Sequence, residues 1–145
     1  MLRPYKKKQI LKMEFNENKA IYLQIADGIM DGVLDGTYPP DGRLPSVREC
    51  AAKVVVNANT VMRSYDWLQQ QAVIYNKRGI GFFVCPEARK RVLEMRRNVF
   101  FKDEAEYFFS RLASFGLKPE DVATLYSTYL TKRENGDGNK ADRYQ

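Results

Sequence analysis

The chain has 145 residues, of which 44% are hydrophobic and 29% charged, and a formal net charge of +6. That is the composition of a folded, water-soluble protein with one ordinary domain, or a small domain with a helical appendage, and it leaves no room for a large second domain. No apolar run approaches the roughly 20 residues a membrane helix needs, and the absence of histidine removes the commonest general base and metal ligand at neutral pH.

Five bases and no acid fall in the first twelve residues, so residues 1–13 read as a basic arm. Over residues 20–35, Ile21, Ile25, Ile29 and Val33 recur every four positions, with Tyr22, Ala26 and Met30 beside them. This is the single stripe of an amphipathic helix. Gly28 and Gly32 weaken the helix, and Gly36 is placed to end it. In TYPPDGR two prolines and a glycine then disfavour further helix and predict a turn. Ser46, followed three residues later by Glu49, is a capping-box pattern that opens a helix over residues 47–54. Asn57 is the next N-cap, and Val61, Tyr65, Leu68 and Ala72 mark the buried stripe of a longer helix ending near Gln71.

Residues 73–84 change character, reading VIYN, KRGIG and FFV. The β-branched and aromatic flanks around a basic, glycine-containing centre predict a two-stranded hairpin. Helical spacing resumes after Pro86, first through Ala88, Val92, Met95 and Val99. A second stripe runs through Ala105, Phe108, Phe109, Leu112 and Phe115 to Gly116; a third, opened by Pro119, carries Val122, Leu125, Tyr126, Tyr129 and Leu130. From Thr131 onward the sequence is polar and predicts a disordered tail. Cys50 and Cys85 stand apart and read as small buried hydrophobes.

Residues 14–41 carry six acids against one base, whereas residues 43–81 carry six bases against two acids. The positive charge therefore sits on the paired helices, which suits a polyanion, although an ordinary solvated face carries similar charge. A short helix, a tight turn and a longer helix form a helix-turn-helix, whose second helix enters the DNA major groove. The basic hairpin makes it a winged version. The expected fold is mainly α with one small hairpin: a winged helix-turn-helix over residues 14–85, a helical dimerisation region over 86–131, and a tail over 132–145.

The sequence is specific enough to resemble a family. Residues 20–84 resemble the DNA-binding domain of GntR-type bacterial transcription regulators, through IYLQI, the GxYxxxGxLPSxRE spacing from Gly36 to Glu49, NTV, and RGxGxFV from Arg78 to Val84. The short helical remainder resembles the YtrA subgroup, in which such a region mediates dimerisation. Departures from the family pattern are Asn57-Ala58 where a Ser/Thr-Arg pair is common, Met62 where a basic residue is frequent, and Ala72 in place of a glycine.

The resemblance makes Arg48 a DNA contact. Asn57, Asn59, Thr60 and Arg63 follow as candidates on the recognition helix, with Asn57 also serving as its cap, and Lys77, Arg78 and Gly79 on the wing. Asn can read adenine and Arg can grip phosphate or guanine bidentately. The aromatic cluster is too rich for isolated helices to bury, which marks Phe108, Phe109, Leu112, Phe115, Leu125 and Tyr129 as dimer contacts.

The expected protein is a cytoplasmic, sequence-specific transcription regulator, a homodimeric repressor on a palindromic double-stranded DNA operator. It needs no cofactor or metal, has no membrane partner and is no enzyme, because the acids are scattered rather than gathered in a motif. The competing expectation is a winged-helix module for protein association. The sequence names no small-molecule effector, and about 45 residues of helix are too few to enclose a typical ligand cavity within one chain.

Overall fold

A computed structural model describes residues 19–136. The basic arm of residues 1–13 and the tail beyond residue 136 lie outside the described residues. The chain divides into two compact units between Val92 and Leu93.

The first unit contains α1 (Ile21–Asp35), α2 (Val47–Val54), α3 (Ala58–Gln70), β1 (Ile74–Lys77) and β2 (Gly81–Val84). Because α3 packs against both α1 and α2, its inner face of Val61, Ser64, Tyr65 and Leu68 is removed from water. Each large apolar side chain buried this way contributes roughly 1.5–3 kcal/mol. Ser64, the polar member, donates its hydroxyl to the Tyr22 carbonyl at 2.7 Å, so its burial leaves no unmet hydrogen bond. On α1 the stripe through Ile25, Ile29 and Val33 is buried, but Ile21 is 43% exposed, since burial begins only one turn into the helix.

Both sequence-read caps are formed. Ser46 Oγ accepts from the Glu49 N–H at 3.1 Å, and Asn57 Oδ1 accepts from the Asn59 N–H at 2.8 Å. Gly36 ends α1 with φ 85°. Gly32 proves structural, because a Cβ there would collide with the Tyr38 ring that folds back over it.

Ala72 departs from expectation. It is exposed rather than part of the buried stripe, with φ 59°. The Val73 N–H bonds to the Leu68 carbonyl and the Ala72 N–H to that of Gln69, both at 3.0 Å. These paired bonds form a Schellman turn, which requires a left-handed residue at this point. Val73, fully buried, takes the core position instead.

The two strands pair antiparallel with Ile74 opposite Val84 and Lys77 opposite Gly81. A third segment adds to the hairpin: Arg43 bridges to Phe83, the Leu44 N–H reaches the Phe82 carbonyl, and the Val84 N–H reaches that of Gly42. The turn before α2 is thereby laced to the wing.

Helix α4 (Ala88–Val99) starts within the first unit, where Ala88 and Val92 are buried. Arg89 donates to the Leu34 carbonyl near the end of α1, and Arg91 Nε donates to the Gln71 carbonyl at the end of α3 at 3.0 Å. Guanidinium groups there satisfy carbonyls that a helix leaves open.

In the second unit a π-helical stretch, Phe100–Glu104, leads into α5 (Ala105–Ser114), and α6 (Pro119–Gly136) follows. The π-helical stretch was not visible as a pattern. A wider turn shifts the helical phase there, and Ala105, the first residue of α5, is buried while Val99 is exposed. Helix α6 also continues past Leu130, so residues 131–136 are helical and not the start of a disordered tail. Lys132, Arg133 and Glu134 are good helix formers and need no core-facing stripe to prolong it. Among the described residues, Ala105 alone is buried on α5, and none is buried on α6.

Candidate nucleic-acid interface

Arg48 is exposed on the first turn of α2 and lines two hollows at once. One is a groove of about 290 Å³ between the start of α2 and the wing, walled by Arg43, Ser46, Arg48, Ile80 and Gly81. The other, about 530 Å³ and open, lies at the turn into α3 and is walled by Arg48, Ala52, Val55, Asn57 and Ala58. A continuous surface therefore runs from the wing tip through Arg48 to the first residues of α3.

Arg43 was not singled out by sequence. Its guanidinium lies across Gly81, with Nε only 3.2 Å from where a Cβ would sit, and Gly81 has φ 148°. Glycine suits this position twice over, through its positive φ and the room it leaves for the arginine. Arg43 and Gly81 are far apart in sequence, so no local pattern could join them.

Asn57, the N-cap of α3, and Asn59, Met62 and Arg63 on the helix are exposed, while Thr60 is half-buried. Asn57 spends its side-chain oxygen on capping. Asn59 has its backbone N–H capped, and its amide makes no hydrogen bond among the described residues. The Arg63 guanidinium lies over the Tyr22 ring, with Cζ 4.1 Å from the centroid. It therefore lies on the α1 side of the helix.

On the wing, Arg78, Gly79 and Ile80 form the exposed tip, and the left-handed Gly79, φ 76°, makes the turn. Lys77 does not crown that tip. Its ammonium lies 4.7 Å from the Phe83 ring centroid, over the stacked Tyr75–Phe83 pair on the flank.

Beneath this surface, Tyr65 donates to the Pro45 carbonyl at 2.6 Å and sets its ring edge-on to Phe82 at 4.9 Å. One buried residue of α3 thus fixes both the entry to α2 and the wing. Burial pushes the Tyr65 phenol well above its ordinary pKa and raises that of the neighbouring Cys50 thiol.

Residues 21–84 match the family described as bacterial regulatory proteins, gntR family. Over 116 residues the chain is 30% identical to the HTH-type transcriptional regulator YhcF of Bacillus subtilis, covering 80% of this chain and 94% of that one. It belongs to the GntR family.

A solved chain from Bacteroides thetaiotaomicron, assigned to GntR transcriptional regulators, is 48% identical with a TM-score of 0.69, covering 79% of this chain and 99% of that one. The HTH-type transcriptional repressor YtrA of Bacillus subtilis is 31% identical over 85 residues, 59% of this chain and 65% of its own length. Residues 21–84 are accordingly the winged helix-turn-helix DNA-binding domain of a GntR transcription regulator. Among the described residues, no helix is long and apolar enough to cross a membrane.

Proposed function

We propose that this GntR chain is a sequence-specific repressor that binds a palindromic operator as a homodimer. Residues 14–85 read the DNA, and the helices beyond them join the two chains. The reading is carried by the continuous surface through Arg43, Arg48 and the wing, next to the exposed start of α3. Arg43, Arg48 and Arg78 grip phosphate or guanine edges, Asn59 and Thr60 meet base edges, and Gly79 lets the wing backbone approach a groove closely. Asn57 holds the helix start in place, and Lys77 supplies charge along the flank. The name of the Bacillus subtilis relative YtrA supports the repressor sign.

Dimerisation is supported by the second unit. Phe108, Phe109, Phe115, Leu125 and Tyr129 are each more than half exposed, Leu112 is half-buried beside them, and such a surface is costly in a lone chain. A two-fold partner covers it and presents a second recognition helix, so the operator is a palindrome.

Selection of duplexes from a randomised pool by the full chain tests the first part: a palindrome is expected, and Arg48→Ala should weaken its binding by roughly 1–3 kcal/mol. Sedimentation tests the second, since Phe108→Glu should turn a dimer into a monomer and weaken binding to the full palindrome more than to one half-site. Binding without sequence preference, or a wild-type monomer, would overturn the corresponding part.

A further inference from the structure

We propose that Tyr22, on α1, is a positioning residue for DNA recognition, holding the Arg63 guanidinium over its ring so that the N–H donors are presented to the duplex. This rests on the DNA-binding reading above and adds to it a residue outside the helix-turn-helix and the wing.

Two observations carry the inference. The Arg63 guanidinium carbon lies 4.1 Å from the Tyr22 ring centroid, in the range of a cation–π stack. The residue next to Arg63, fully buried Ser64, donates its hydroxyl to the Tyr22 carbonyl at 2.7 Å, so the backbone carrying the ring is bonded to the helix carrying the arginine. The ring therefore sits at a fixed place relative to α3.

A ring holds a guanidinium through cation–π attraction and takes up none of its hydrogen-bond donors when the two are stacked. Among the described residues Arg63 makes no hydrogen bond, and its side chain is exposed while Tyr22 is half-buried. An arginine free in solution must lose rotamer freedom when it grips a base or phosphate. One already laid on a ring has lost much of it, and the bidentate edge it presents is pre-aimed.

The test is a double-mutant cycle in the full chain, read as affinity for a duplex selected by the wild type from a randomised pool. Tyr22→Leu should weaken binding about two- to fivefold, the usual range for an exposed cation–π pair, and Tyr22→Phe, which keeps the ring, should restore it. In the Arg63→Ala background, Tyr22→Leu should add no further loss. Additive losses would overturn the positioning role, as would a Tyr22→Phe variant as weak as Tyr22→Leu. If Tyr22→Leu does not fold, nitrogen relaxation of the Arg63 Nε–H in the free wild type decides: an ordered group is expected, and a mobile one overturns the proposal. Arg48→Ala keeps the two readings apart. If it weakens binding while the cycle is additive, only the positioning role falls; a chain that selects no duplex overturns both.

Discussion

Val55 should be a place where the chain gains stability from losing a side chain. It terminates α2 in the left-handed region, φ 56° and ψ 57°, and is 86% exposed. A β-branched residue is poorly suited to that conformation, which costs an L-residue roughly 1–2 kcal/mol. The bonds that need the conformation are backbone ones, from the Val55 and Val56 N–H groups to the Ala51 carbonyl. Val55→Gly would keep them and remove the strain, while the freer unfolded glycine returns about 0.5–1 kcal/mol of the gain. The net expectation is stabilisation of about 0.5–1 kcal/mol, because almost no buried surface is lost. Thermal unfolding followed by circular dichroism should show the midpoint rise by roughly 2–6 °C, and urea unfolding should show a higher midpoint at unchanged slope. Ala72→Gly, at φ 59°, should behave alike. A lower midpoint in Val55→Gly would refute the reasoning, since it would mean that the side chain contributes contacts outweighing the strain.

Two further outcomes follow from the interface and its underside. If the exposed wing-tip guanidinium of Arg78 grips phosphate, Arg78→Ala should weaken selected and scrambled duplexes by similar factors and lower the salt slope by about one unit; a loss confined to one operator base pair would place it on a base edge instead. Tyr65→Phe should cost about 1 kcal/mol in urea unfolding by stranding the Pro45 carbonyl. The folded Tyr65 phenol lies above its ordinary value of 10.0, so its contribution is fully present below pH 10 and is lost as pH rises beyond it. Buried Cys50, raised from 9.0, acts in the same sense from about pH 9. Stability should therefore fall at alkaline pH, less steeply above pH 10 in Tyr65→Phe than in the wild type.

The sequence made the helices of the first unit legible because each carries its own punctuation: Ser46 and Asn57 cap α2 and α3, and Gly36 closes α1. The wing was legible as a hairpin for the same reason. Its third segment was not, because residues 41–44 have no strand periodicity and pair with β2 only across the whole helix-turn-helix. Ala72 misled because the helical spacing runs on through it, while the Schellman bonds that end α3 depend on Val73 finding the core. In the second unit, pattern reading located the helices but not the π-helical stretch, whose five residues bury no side chain and so carry no stripe of their own.

The candidate site divides along the same line. Arg48, Asn59 and Arg78 can be picked out by type and local position. Arg43 and Tyr22 cannot, since each works through a partner distant in sequence, Gly81 for one and Arg63 for the other. These distant contacts make the reading surface rigid. Helix α3 is held at its start by the Asn57 cap, along its flank by Ser64 on the Tyr22 carbonyl, beneath by Tyr65 on the Pro45 carbonyl, and at its end by Arg91 on the Gln71 carbonyl. Each bond ends on backbone rather than on a mobile side chain. A helix fixed in four places presents its exposed side chains from set backbone positions, so the helix itself needs no ordering on binding. Because Arg91 belongs to α4, the helix that follows the wing is fastened to the C-terminal end of α3, the proposed recognition helix.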